Sequence, residues 1–173
     1  MSSNYLNLLD LSYVRRWAVA PTTRDQSVME HTARVLAIAF HIRALVPELQ
    51  SHIDRGELAI RVMGHDAEER MTGDVPGPVK SAEAGYLRDV REMSRMDCLV
   101  KVADSIETGT FWTQWGNPGA WSMHPYNCAP ARDIHKIHHY AAKVDGMLQA
   151  AFDTWTAITG GNPGGVWNTP TTP

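Results

Sequence analysis

Apolar residues recur along this chain at spacings of three and four rather than two, and the elements they predict are helices. Tyr5, Leu8, Leu9, Leu11 and Val14 give a first helix over 4–17 a broad apolar face, and Pro21-Thr22-Thr23 then marks a loop. Ser27 with Glu30 three residues later forms a capping box. Val28, His31, Val35, Ile38, Ile42 and Leu45 then line one face of a second helix, which Pro47 ends or interrupts. Asp54 caps a third helix over 55–70, with Leu58, Val62, His65 and Glu69 on one face. The stretch 71–78 holds two prolines and two glycines and reads as a shaped loop, either a ligand-holding one or a plain connection. A polar helix from Lys80 to about Met93 follows. In the next, from Asp97 to about Thr110, Leu99, Val102, Ala103 and Ile106 pack, while Val100, Asp104, Glu107 and Phe111 share another face. A last helix runs from Ala131 to about Thr156, carrying Ile134, Ile137, Ala141, Val144, Leu148 and Phe152. No strand pattern competes. The fold class is all-α, a compact bundle of five to six helices in a single domain over 1–158, with an irregular Gly/Pro/Thr-rich tail over 159–173.

Composition narrows the picture by exclusion. A length of 173 residues suits one domain with a real core. A net charge of −3 gives no general nucleic-acid or membrane surface, and no apolar run approaches the roughly 18 residues of a membrane span. Cys98 and Cys128 imply no disulfide framework, and the start of the chain lacks a signal-peptide pattern. The expectation is a cytoplasmic protein with no stable nucleic-acid partner and no membrane. Five of the six tryptophans fall after residue 110, aromatic area that suits an interface, so a homo-oligomer is expected.

The candidate chemistry centres on Gly64-His65-Asp66-Ala67-Glu68-Glu69, which closes the apolar run of Leu58, Ile60, Val62 and Met63. His31 sits among aliphatics upstream, and Asp104 is bracketed by Ala103 and Ile106 downstream. Ionisable groups on apolar faces must be paired or metal-bound, and imidazoles with carboxylates suit a divalent metal. Taken singly, each has a blander reading: His31 a satisfied core histidine, Asp104 a surface carboxylate, Glu68 part of a solvated turn. Glu69, one helical turn beyond His65, reaches the same cavity. Phe111 to Trp115, continued by Trp121 and Tyr126, either stacks over a base or packs in the core or an interface. His135 and His139 are four apart but lack the zincin glutamate between them, which favours a surface or interface role for them and His138.

In order along the chain, His31, His65-Asp66 and Asp104 resemble the H…HD…D signature of the HD-domain metal-dependent phosphohydrolases. Arg16-Trp17, Arg24-x-Gln26-Ser27-Val28-x-Glu30-His31, His65-Asp66-x-x-Glu69 and Thr72-Gly73-Asp74-Val75-Pro76-x-Pro78-Val79-Lys80 resemble the compact 5′-deoxynucleotidase branch, which includes small phage dNTP triphosphohydrolases. The resemblance covers about 5–110; the 38 positions from Asp66 to Asp104 are fewer than in the bacterial 5′-deoxynucleotidases. It implies an HD-type bundle holding one divalent ion (Mn, Co, Zn, Fe or Mg) on His31, His65, Asp66 and Asp104. It implies catalytic roles for His65, Asp66 and Glu69, the last positioning or deprotonating the attacking water. Asp74 would contact the sugar 3′-hydroxyl and Trp17 would leave no room for a 2′-hydroxyl. Arg16, Lys80 and Lys101 are the cations available for phosphate. The implied activity is a dNTP triphosphohydrolase, dATP favoured, in the host cytoplasm if phage-encoded. The alternatives are a 5′-deoxynucleotidase acting on dNMPs and a non-catalytic metal-stabilised binding module.

Overall fold

The computed structural model of the chain describes residues 5–17, 22–74, 88–116 and 129–160. Helix α1, Val28–Leu45, starts where the capping box places it: Ser27 Oγ accepts the Glu30 N–H at 3.1 Å. The Glu30 carboxylate meets Arg24 at 2.7 Å. The face formed by Val28, His31, Val35, Ile38 and Ile42 is buried as the spacing predicts, while Leu45 is left exposed. Pro47 does not simply end a helix; it opens a short one, α2, Pro47–His52, where its missing N–H costs nothing. Helix α3, Arg55–Met63, is capped by Asp54, whose Oδ1 accepts from Gly56 and Glu57 at 2.7 and 3.0 Å.

At the centre lies α5, Arg95–Trp115, capped by Ser94, which accepts the Asp97 N–H at 3.0 Å. It packs against α1, α3, α6 (Ala129–Ala141) and α7 (Met147–Thr159), and α1 and α7 also meet. Its residues from Val102 to Trp112 are buried almost without interruption, Asp104 excepted. A helix enclosed on all sides carries no amphipathic stripe. That is why the expected end near Thr110 falls short of Trp115: burial of Phe111 and Trp112 draws the aromatic stretch into the helix. Among the described residues no helix is long and apolar enough to cross a membrane.

Several expected boundaries are corrected. The first helix is a 3₁₀ helix over Tyr5–Ser12 that stops early. Arg15–Arg16 (β1) then pairs antiparallel with Gln26–Ser27 (β2), with Arg16 opposite Gln26. Leu6 and Leu9 are exposed and Leu11 is buried, so the apparent apolar face is narrower than its spacing suggested. The third helix breaks at Gly64, and a turn carries His65 and Asp66 to α4, Glu69–Thr72. The expected helix from Lys80 falls mostly outside the described residues; its end is a 3₁₀ turn, Val90–Glu92, capped by Asp89. The last helix divides into α6 and α7 around Gly146, which takes φ +80°. Ile137, Val144 and Met147 are buried on both sides of this break, so the apolar spacing continues through it. The described residues hold seven α-helical segments rather than five or six. Trp121, Tyr126 and the tail from 161 lie outside the described residues.

The contact between α5 and α7 depends on Gly109: a Cβ there would lie 2.3 Å from Trp155 Cη2 and 2.7 Å from its Cζ3. Overpacking of this kind costs about 1–3 kcal/mol, and the better helix propensity of Ala returns no more than about 1 kcal/mol. Gly109→Ala is therefore expected to lower the urea midpoint by an amount corresponding to about 1–2 kcal/mol. An unchanged midpoint would mean that the buried Trp155 ring moves aside freely.

Candidate metal centre

Three elements bring the four candidate ligand side chains near one another. His31 stands in the first turn of α1, His65 and Asp66 in the turn after α3, and Asp104 midway along α5. His31 Nε2 lies 3.4 Å from His65 Nε2, 3.2 Å from Asp104 Oδ1 and 3.5 Å from Asp66 Oδ2. Asp66 Oδ2 lies 3.2 Å from His65 Nε2. Ligand atoms at about 2.0–2.1 Å from a tetrahedral ion are separated by about 3.3–3.4 Å, so these distances match the edges of such a polyhedron. His31, His65 and Asp104 are the group found among the described residues that could hold a metal ion. The His31 and His65 side chains are 0% and 6% exposed, whereas Asp66 and Asp104 are 15% and 23% exposed, so the centre opens on its carboxylate side.

The far nitrogen of each imidazole is engaged. His65 Nδ1–H donates to the Val62 carbonyl at 2.6 Å, directing the Nε2 lone pair at the centre. The turn at Gly64 makes this possible, because it frees His65 from the helical direction that continued α3 would impose. His31 Nδ1 meets Glu107 Oε2 at 2.6 Å. Glu107 is completely buried, and its Oε1 accepts from Gln26 at 2.7 Å and Arg34 at 2.8 Å. Arg16 Nη1 lies 3.3 Å from Glu107 Oε2 and also against His31 Nδ1. Only the arrangement in which Nδ1–H donates to Glu107 leaves Nε2 free to ligate. The sequence pattern assigns Glu107 no role, although it places Glu107 three residues after Asp104 on one face of α5.

Charge follows geometry. Burial would raise the Asp104 carboxyl, but the hydrogen bond to His31 and the charges of Lys101, His31 and His65 hold it well below the usual range. Asp66 is depressed likewise, burial being outweighed by its hydrogen bond to His65. Glu107 is lowered against its burial by His31 and Arg16. In His31, burial and the Arg16 charge favour the neutral ring; Glu107 and the hydrogen bonds to Asp104 and Glu107 overcome them and lift its pKa to about 9.

The remaining sequence candidates fall into place unevenly. Glu69 is buried at the start of α4, and Glu68 is exposed as a solvated residue should be. Asp74 Oδ2 accepts the Trp17 N–H at 3.1 Å. Trp17 has φ +63°, a left-handed conformation rare for a bulky residue, and its ring stacks on Phe111 with centroids 6.0 Å apart. Phe111 and Trp112 are core residues, which decides for packing over base stacking at these two positions. Lys101 is half-buried one turn before Asp104; Lys80 lies outside the described residues. Arg16 is turned inward onto Glu107, with 12% of its side chain exposed. His135 and His138 are exposed on α6, and His139 donates to the Arg88 carbonyl at 2.9 Å.

Comparison with known proteins points in one direction. The model of the 5′-deoxynucleotidase YfbR-like family matches residues 4–108. A dATP triphosphohydrolase of Salmonella phage PMBT28 is 30% identical over 125 residues, 61% of this chain and 63% of that protein. A 5′-deoxynucleotidase of Cronobacter sakazakii is 36% identical over 108 residues, 60% of this chain and 53% of that protein. The chain thus spans between about half and just under two thirds of these relatives' lengths. The cyanophage S-2L HD phosphohydrolase DatZ, solved bound to dA and one catalytic Zn2+ ion, shares the fold with a TM-score of 0.68 at 20% identity, covering 93% of this chain and 99% of its own.

Ligation requires neutral His31, so below pH 9 metal uptake expels its proton. Apparent Zn2+ affinity, measured by chelator competition, is expected to rise about tenfold per pH unit between about pH 6.5 and 8.5. In metal-free protein the sign is opposite. The raised His31 pKa stabilises the fold fully below the ordinary value of 6.5, and that contribution is lost as pH rises through about 9. Replacing Glu107 by Gln is expected to weaken Zn2+ binding about 10–100-fold, the usual loss when a carboxylate behind a ligating histidine is removed. Equal affinity in the folded variant would show that His31 is oriented without it.

Proposed function

From the premise that this chain belongs to the 5′-deoxynucleotidase YfbR-like family, we propose that it is a metal-dependent phosphohydrolase of 2′-deoxynucleotides. The observation that carries this reading is the meeting of His31, His65 and Asp104, with Asp66 Oδ2 at 3.2 and 3.5 Å from the two imidazoles and the carboxylate side open. A closed structural site would need no such opening. Within the class we propose a dNTP triphosphohydrolase with dATP favoured, supported by the phage relative's stated activity and by the dA bound in the fold neighbour. A second reading, a 5′-deoxynucleotidase acting on dNMPs, is favoured by the family and by the Cronobacter relative. The proposal includes a cytoplasmic homo-oligomer, for which Leu6, Leu9 and Tyr13 supply exposed apolar area.

His31 and His65 through Nε2, with Asp66 and Asp104 through carboxylate oxygens, would hold one divalent ion; zinc fits the donor set and its spacing, and Mn, Co and Fe accept the same donors. When bound, the ion supplies Lewis-acid polarisation of a phosphoryl oxygen and acidifies a water. Glu69 takes the proton of the attacking water. The water oxygen joins the α-phosphorus, the bond from phosphorus to the 5′-oxygen breaks, and that oxygen takes a proton from solvent and leaves as deoxynucleoside, while Glu69 returns its proton to solvent. Triphosphate is the other product. Asp74 accepts from the 3′-hydroxyl with the carboxylate oxygen not used by Trp17, and the Trp17 ring closes the space a 2′-hydroxyl would need. Arg16, Lys101 and Lys80 meet the phosphate charge.

Incubated with Zn2+, Co2+ or Mn2+, the protein is expected to convert dATP to deoxyadenosine and intact triphosphate, resolved by ion exchange, and to act more slowly on ATP. Asp66→Ala should lose bound metal and turnover together. Phosphate release from dNMPs with dNTPs untouched would select the second reading, and no turnover with any of these metals would favour a binding module.

A further inference from the structure

We propose that Gln26 is a specificity-positioning residue: its side-chain amide fastens the Trp17 indole to Glu107, the carboxylate that also orients His31. The inference rests on the reading above, in which the Trp17 ring excludes ribose.

A tryptophan at φ +63° is held there by its surroundings, because the conformation is unfavourable for a bulky side chain. Asp74 restrains its backbone through the Trp17 N–H. The ring is packed on Phe111 at an interplanar angle of 2° and tilted against Trp112 with centroids 5.4 Å apart, but ring packing does not satisfy the buried indole N–H. Gln26 supplies the directional contact. Its Oε1 accepts the Trp17 indole N–H at 3.1 Å, and its Nε2 donates to Glu107 Oε1 at 2.7 Å. Both bonds are buried and Gln26 is 1% exposed, so water cannot replace either partner cheaply. The amide is also polarised in a useful sense: donating to a charged carboxylate strengthens its oxygen as acceptor. Glu107 Oε2 meets His31 Nδ1 at 2.6 Å. The sugar wall and the metal ligand are therefore referred to opposite oxygens of one carboxylate. The Gln26 side-chain hydrogen bonds go to Trp17 and Glu107, and its proposed effect on specificity runs through Trp17.

The test uses the full chain with Zn2+ bound. Gln26→Met keeps the length and removes both hydrogen bonds; Trp17→Phe keeps an aromatic face and removes the indole N–H. The Trp17 indole proton is assigned in an NMR spectrum by its absence from Trp17→Phe. Gln26→Met is expected to leave zinc content unchanged, to lose the slow exchange of that proton, and to lower the ratio of kcat/KM for dATP over ATP by about tenfold, mainly through KM. The double variant should lose less than the sum of the two single losses, because both substitutions delete the Gln26–Trp17 bond. A protected indole proton in Gln26→Met, an unchanged deoxy-to-ribo ratio, or additive losses would overturn the proposal. If Gln26→Met does not fold, Trp17→Phe decides: discrimination retained after loss of the indole N–H overturns it. A wild-type protein inactive on every deoxynucleotide would defeat the proposed function and the specificity role with it, while indole exchange would still report separately on whether Gln26 holds the ring.

Discussion

The structure depends on one buried carboxylate. Glu107 has no exposure, and a charge taken out of water costs several kcal/mol unless it is paired and hydrogen-bonded. It is satisfied from three directions: Arg16 from β1, Gln26 from β2, and His31 and Arg34 from α1. These partners are remote in sequence, so meeting the carboxylate's requirement fixes the N-terminal segment and α1 against α5. The same requirement accounts for the early end of the first helix. Helix propensities differ by less than about 1 kcal/mol per residue. That is small beside an unpaired buried charge, and the extended ribbon at Arg15–Arg16 is what brings Arg16 inward.

Around this node the charges are layered. Inward of His31 lies Glu107 with its arginines; outward lie Asp66 and Asp104, both held ionised against partial burial. His31 stands between carboxylates on both sides, and this is why its pKa is raised despite burial and the neighbouring Arg16 charge. In the proposed ligation a divalent ion would satisfy the outer carboxylates with twice a proton's charge, leaving Nδ1–H for the inner one. Under that proposal a proton would be exchanged for a metal at one nitrogen, with the other nitrogen's partner unchanged.

The aromatic residues perform a related task with dispersion and shape. Trp17, Phe111 and Trp112 form a cluster in which the first is strained and the other two belong to a buried helix. Rigid packing of Phe111 and Trp112 provides the surface against which an unfavourable backbone conformation at Trp17 is maintained. Local sequence would put the aromatic stretch after α5; the core needs it inside.

Much of the centre is legible in the chain itself. Ser27 and Asp54 announce helix starts because capping is a local hydrogen-bond requirement, and the stripe from Val28 to Ile42 announces a buried face because helical spacing is fixed. His31, His65, Asp66 and Asp104 stand out because ionisable groups in apolar settings need partners. The all-α class follows from the same periodicity. Tertiary structure alone decided the rest. The breaks at Gly64 and Gly146 interrupt runs whose apolar spacing continues across them, so nothing in the period marks the turn. The role of Glu107 depends on side chains between 73 and 91 positions away, and a buried charge is indistinguishable from an exposed one until its partners are placed around it. Short-range rules determine which residues are able to ligate, cap and pack; which of them meet is set by long-range desolvation and pairing, which no local pattern records.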